Sequence, residues 1–195
     1  MAAGDSSVSI CNQALIAIGE DPIASLNDAR KAAILCLALY DPTRRELLEM
    51  QPWKFAKQQA SLPASATAPL FSYSNQFPLP ADFIRFYDEP EEDDPEYEIM
   101  NVAGLGQMIL SNDDSPFNLV YVYDCVDATQ FSPLFVTALS CALAAKFAEP
   151  ITQSSTKAQE MSSKTQDALD RAALTNSQQE SSRELDEDIW LRSRR

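Results

Sequence analysis

The chain has 195 residues, 45% of them hydrophobic, a formal net charge of −14 and no histidine. That length suits one domain, two-lobed at most, with a real buried core. The acidic balance argues against a protein that wraps duplex DNA with its whole surface, because phosphate binding needs clustered Lys and Arg. The missing histidine removes Ser-His-Asp and Cys-His nucleophile activation, H-E-x-x-H zinc sites and imidazole general bases together.

Asp5 or Ser6 caps a first predicted helix that runs to Ile18. Val8, Cys11, Ala14, Leu15 and Ile18 fall on one face at helical spacing, and Gly19 stands where a left-handed terminator belongs. Pro22 prevents continuation, and the short connection predicts that the first two helices pack as antiparallel neighbours. Asn27 or Asp28 then caps a second helix over 28–50, about 35 Å long at ~1.5 Å per residue, enough to be the spine of a small domain. Ala32–Tyr40 is apolar on every side, which predicts enclosure by partners, whereas Leu47, Leu48 and Met50 alternate with charge after Asp41. Pro42 predicts a kink, or a break with Asp41 capping a further helix.

Residues 53–128 come in short β-branched and aromatic runs broken by prolines. The predicted strands are Trp53–Ser61, Phe83–Asp88, Tyr97–Asn101, Gln107–Ser111 and Asn118–Tyr123. Asn112-Asp113-Asp114-Ser115 is turn chemistry and predicts a hairpin of the last two, while Gly104 and Gly106 around Leu105 predict another tight turn. A third helix starts at Asp127 or Thr129 and runs through Phe147, with a broad face of Phe131, Leu134, Phe135, Ala138, Leu139, Cys141, Ala142 and Ala145. Pro150 separates it from a fourth, roughly 152–176, whose apolar stripe (Ala158, Met161, Ala168, Leu169, Ala172, Ala173) is thin. Such a helix is mostly solvated or finds its partner on another subunit. Beyond Ser177 only Leu185, Ile189, Trp190 and Leu191 offer apolar anchors.

These readings give an α+β fold. A four-helix bundle (1–52 and 129–176) carries a small antiparallel β-sheet lobe (53–128) inserted between helix 2 and helix 3, with an extended C-terminal tail (177–195). No apolar run approaches 18 residues, so no membrane span is expected, and Met1–Asp5 shows no secretion signal. The four cysteines, Cys11, Cys36, Cys125 and Cys141, form no C-x-x-C pair and read as buried free thiols of a reducing cytoplasm.

Chemistry-bearing motifs are scarce. There is no G-x-S-x-G, no P-loop and no G-x-G-x-x-G, and four glycines leave little means of building a phosphate cradle. The acidic run Glu89–Glu98 could hold Mg²⁺ or Ca²⁺, but two prolines and uninterrupted charge point to a solvated loop. Arg44-Arg45 could contact DNA or a neighbour's carboxylate; a solvated helix face is the plainer role. No catalytic residue, metal ligand or cofactor is expected.

One resemblance carries further. Tyr40-Asp41-Pro42-Thr43-Arg44 running into Gln51-Pro52-Trp53-Lys54-Phe55-Ala56 resembles the head-to-tail adaptor family of tailed bacteriophages, the tail tubular protein A or gatekeeper-type connectors. The similarity extends back to Asn12-Gln13-Ala14-Leu15-Ile16-Ala17-Ile18-Gly19-Glu20 with Pro22, and forward to Leu79-Pro80-Ala81-Asp82-Phe83. The resemblance implies a structural virion protein at the head–tail interface, made in the host bacterial cytoplasm. It would dock under a portal protein as a homo-oligomeric ring, a dodecamer in relatives, line the DNA channel and meet a downstream tail or nozzle protein. Viral DNA would pass without specific binding, which an acidic wall favours. The resemblance also implies portal docking by the tail, for which Leu185, Ile189, Trp190, Leu191, Arg192, Arg194 and Arg195 are the candidates. Glu91, Glu92, Asp93 and Asp94 are the candidate channel-lining acidic loop. Two other classes stay open: an acidic metal-dependent hydrolase using the 89–98 carboxylates, and a phage-encoded, host-directed inhibitor that mimics DNA.

Overall fold

A computed structural model of the chain describes residues 6–87 and 97–179. The fold is α+β; among the described residues there are four helices and two small antiparallel sheets of three strands each.

Helix α1 (Ser7–Ile18) forms as its ends predict. The Ser9 amide donates to the Ser6 hydroxyl at 3.1 Å while the Ser6 amide donates to Ser9 Oγ at 3.0 Å, a reciprocal cap. Gly19 closes the helix at φ +85°, a left-handed conformation that costs a Cβ-bearing residue energy. Asn12, inside α1, clamps the following loop: its side chain donates to Ile23 O and accepts from the Ile23 amide.

Helix α2 (Lys31–Met50) begins three residues later than expected. Asp28 does not cap it; its carboxylate accepts the amides of Ala24 and Ser25 and is spent on the loop. Pro42 neither ends nor splits the helix, which runs continuously across it. The expectation that residues 32–40 are enclosed fails. Ala32, Ala33, Cys36 and Tyr40 are buried, but Ile34 and Leu37 are 57% and 58% exposed.

Two further short 3₁₀ turns, Lys54–Ala56 and Ala128–Gln130, flank the strands. The first replaces the start of the expected strand at Trp53, whose ring is buried instead and whose indole N–H donates to Leu47 O at 2.7 Å. The strands are β1 (Lys57–Leu62), β2 (Asn75–Pro78), β3 (Phe83–Phe86), β4 (Tyr97–Val102), β5 (Gly106–Ser111) and β6 (Phe117–Tyr123). One sheet has the order β1-β6-β3 and the other β2-β5-β4. The expected β5–β6 hairpin is therefore absent: Asn112–Ser115 carries the chain from one sheet to the other. The turn at Gly104–Gly106 does join β4 to β5, with φ of +80° and +85° at the two glycines. The sheets meet across a small apolar cluster of Leu62, Phe117, Leu119 and Tyr121 against Phe77 and Ile109. Aromatic contacts bridge them, Phe77 to Phe117 at 5.2 Å and Phe86 to Tyr97 at 4.6 Å between ring centroids.

Helix α3 (Pro133–Thr152) starts at a Ser132 cap, with Pro133 at its first position. It runs past Phe147 and through Pro150, ending at Gln153 in a left-handed conformation (φ +54°). By length and mean composition α3 is apolar enough to cross a membrane, although Lys146 and Glu149 interrupt its apolar run. Half of that stretch is buried, in the centre of the main core. The other three helices pack on it, and α1 and α2, expected as close neighbours, meet each other only lightly. Helix α4 (Ser155–Gln179) lays Met161, Ala168, Leu169 and Ala172 into that core, finding in α3 of the same chain the partner its thin stripe requires.

Candidate functional site

The two lobes are joined by a charged knot. Arg44, on the inner face of α2, is only 1% exposed. Its guanidinium donates to Asp124 Oδ1 at 2.5 Å, to Cys125 O at 2.7 Å and to Asp41 at 3.3 Å. Arg45, on the outer side, pairs with the other Asp124 oxygen at 2.6 Å. Burial opposes ionisation of Asp124, but the two guanidinium groups outweigh it and hold the carboxyl below its usual range. Arg85 of β3 adds a bond to Glu49 O at the end of α2. The solvated-face reading of Arg44 is thus overturned: helical spacing from Tyr40 to Leu47 turns it inward, and a buried guanidinium persists only when its donors are matched.

Asp82, within the Leu79–Phe83 stretch, shapes the start of β3. Its carboxylate accepts the Tyr121 hydroxyl at 3.1 Å and its carbonyl accepts the Asp124 amide at 2.7 Å. Burial, then this contact with Asp82, pushes the Tyr121 hydroxyl up to about 12. The four cysteines are free, and three are buried. Cys11 and Cys36 touch across the α1–α2 side of the core; their mutual hydrogen bond and burial raise the Cys11 thiol above its ordinary range. Among the described residues no group of three or more His, Cys, Asp or Glu is placed to hold a metal ion.

What the surface offers is apolar. On the helical lobe Ile34 and Leu37 stand one turn apart on α2, with Ile16 exposed on α1. On the β lobe Leu70 and Phe71 are 93% and 71% exposed, and Leu105 tips the β4–β5 turn. Between the 67–73 loop and the outer face of the second sheet lies a cavity of about 510 Å³. The sheet side is set by register: Gln76, Leu110 and Glu98 are cross-strand partners on one row, with Met100 and Val102 further along β4. Another groove, of about 480 Å³, runs between α2, α3 and α4 past Met50, Ala142 and Lys146. Lys146 is anchored there by Glu46 and by Thr43 Oγ1 at 3.0 Å.

Sequence reasoning did not single out Leu70-Phe71 or Gln76. The available signal was an apolar pair in a stretch otherwise built of Pro, Ala, Ser and Thr, with no periodicity to bury it. The residues it did single out, Glu91, Glu92, Asp93 and Asp94, and Leu185, Ile189, Trp190, Leu191, Arg192, Arg194 and Arg195, lie outside the described residues. The chain matches no protein-family model and no curated protein.

Proposed function

We propose that the chain is a structural assembly protein, a head-to-tail adaptor that docks under a portal as a ring, dodecameric as the resemblance implies, and joins capsid to tail. The observation that carries the reading is exposed apolar side chains on both lobes, Ile34 and Leu37 on one and Leu70, Phe71 and Leu105 on the other. Contiguous apolar groups left in water mark surfaces that meet other proteins; Ile34 with Leu37 and Leu70 with Phe71 are neighbouring pairs of that kind, and a ring subunit between two larger partners needs several such surfaces at once. The knot at Arg44 supports it too, since it ties the lobes by a matched set of bonds through which load could pass.

In this reading the four helices act as a bundle. Residues 185–195, with Trp190 as an aromatic anchor and Arg192, Arg194 and Arg195 for portal carboxylates, reach the portal. The 91–94 carboxylates face the channel, where like charge keeps DNA sliding. The protein works in the virion, and viral DNA passes through its channel without specific binding. Electron microscopy of the full chain mixed with its portal tests the reading: a ring capping the portal is expected, and unbound portal at micromolar excess of the chain would refute it.

A further inference from the structure

The cavity under the 67–73 loop has a feature that simple packing leaves unexplained. Gln76 lines it and is 1% exposed. Its amide nitrogen donates to Thr67 O at 2.8 Å, while its Oε1 is buried without a donor among the described residues. Because the nitrogen is committed, exchanging the two ends of the amide would not help; the oxygen needs an N–H or O–H from outside. The walls are apolar, with Leu70, Phe71, Met100 and Leu105, and among the described residues the one charged lining residue is Glu98. Apolar walls, one orphan acceptor and one carboxylate call for a flat apolar body bearing an N–H, flanked by a cation.

Of the chain's two tryptophans, Trp53 is buried with its indole N–H committed to Leu47 O, which leaves the stretch around Trp190. Residues 189–195, Ile-Trp-Leu-Arg-Ser-Arg-Arg, hold three arginines and no acid, in a molecule whose formal charge is −14. Copies of the chain repel one another by net charge, and this stretch offers them charge of the opposite sign. The eleven residues from 180 to 190 reach up to ~36 Å when extended, close to the ~40 Å width of a chain this long. We infer that the cavity takes residues 189–195 of a second copy, with the Trp190 indole entering between the loop and the sheet, its N–H on Gln76 Oε1, and an arginine on Glu98. The exchange concerns contacts between copies and does not depend on a portal; under the reading above, a portal competes for the same segment.

The test is fluorescence anisotropy of a labelled synthetic peptide, residues 183–195, titrated with the full chain. Saturable binding in the tens of micromolar is expected, the range of a single aromatic anchor with charged rim contacts. Leu105→Glu, at an exposed position that leaves the fold intact, should weaken it at least tenfold, as should Trp190→Ala in the peptide. Gln76→Leu should weaken it several-fold, and Leu37→Glu, on the other lobe, should not change it. Absence of saturable binding, or binding indifferent to Leu105→Glu, overturns the inference. Binding that appears only when the full chain itself carries Trp190→Ala would show that each copy fills its own cavity, and would overturn the exchange between copies.

Discussion

Replacing Arg44 by Ala removes the donors that join helix α2 to the end of β6. Asp124 keeps Arg45 at 2.6 Å, so its charge is not abandoned, but Cys125 O loses the Arg44 donor and the buried space of a guanidinium is vacated. Breaking a buried pair costs about 3–5 kcal/mol; with Arg45 still in place the lower end, about 3 kcal/mol, is expected. Urea unfolding at pH 7 should show it as a fall in midpoint of roughly 1.5 M, taking a slope of about 2 kcal/mol per molar. The pH dependence separates the ion pair from mere loss of packing. The Asp124 carboxyl is held down in the folded state by Arg44 and Arg45. Its stabilisation is therefore complete above the unfolded value of about 3.9 and is lost as pH falls through the lower folded value. The gap between Arg44→Ala and the parent should narrow on acidification through that range. A loss below about 1 kcal/mol at pH 7, against the range for broken buried pairs, would refute the reasoning. So would a gap that stays constant into acid.

Leu37→Glu should change stability by less than about 0.5 kcal/mol, since the position is exposed, yet abolish ring formation on the portal in electron micrographs; an intact ring would remove the α2 face from the interface. Gly19→Ala should cost about 1 kcal/mol in thermal or urea unfolding, from the left-handed backbone alone, because the added methyl meets only Lys157 Nζ at an ordinary 3.6 Å. Changing Glu91, Glu92, Asp93 and Asp94 to Lys should slow genome exit without dissolving the ring, and ejection at an unchanged rate would turn that loop away from the channel. Light scattering of the free protein at low micromolar concentration should report a monomer near its 21.6 kDa; a stable free dodecamer would contradict assembly driven by the portal.

Local signals were legible where the structure depends on local chemistry. Ser6 opens α1 with its hydroxyl and Gly19 closes it by lacking a Cβ, and Gly104 and Gly106 make the β4–β5 turn. Signals failed where the partner is distant. The Asn112–Ser115 turn looks like any hairpin turn, and nothing in it says that β5 belongs with β2 and β4 while β6 belongs with β1 and β3. Strand β2 was not expected at all: four residues with one proline and a buried glutamine give too short an alternation to read. The α2 residues Ile34 and Leu37 were expected inside because their neighbours are apolar, but a helix packed on one partner covers only one side of itself. Arg44 shows the converse, a charged residue taken inward because Asp124 and Cys125 O, some eighty positions away, meet it there. As for the site, its apolar walls lie in loops, where hydrophobic periodicity has nothing to report, and the orphan oxygen of Gln76 is visible only in three dimensions.

Strand β1 follows α2 almost directly, β6 leads back towards α3, and the two are paired antiparallel with Lys57 opposite Val122. Partners in such a ladder have Cα atoms about 5 Å apart. From the helices' side, the whole β lobe is a single stem that leaves and returns at one point. A few glycines in place of residues 57–122 would span that gap, but they would take Tyr87 and Val122 out of the helical core and the Arg85 donor off Glu49 O, so a lobe grafted on the same stem has to restore those contacts. The stem at Lys57 and Val122 is thus a splice point for any lobe that keeps those contacts with the helices.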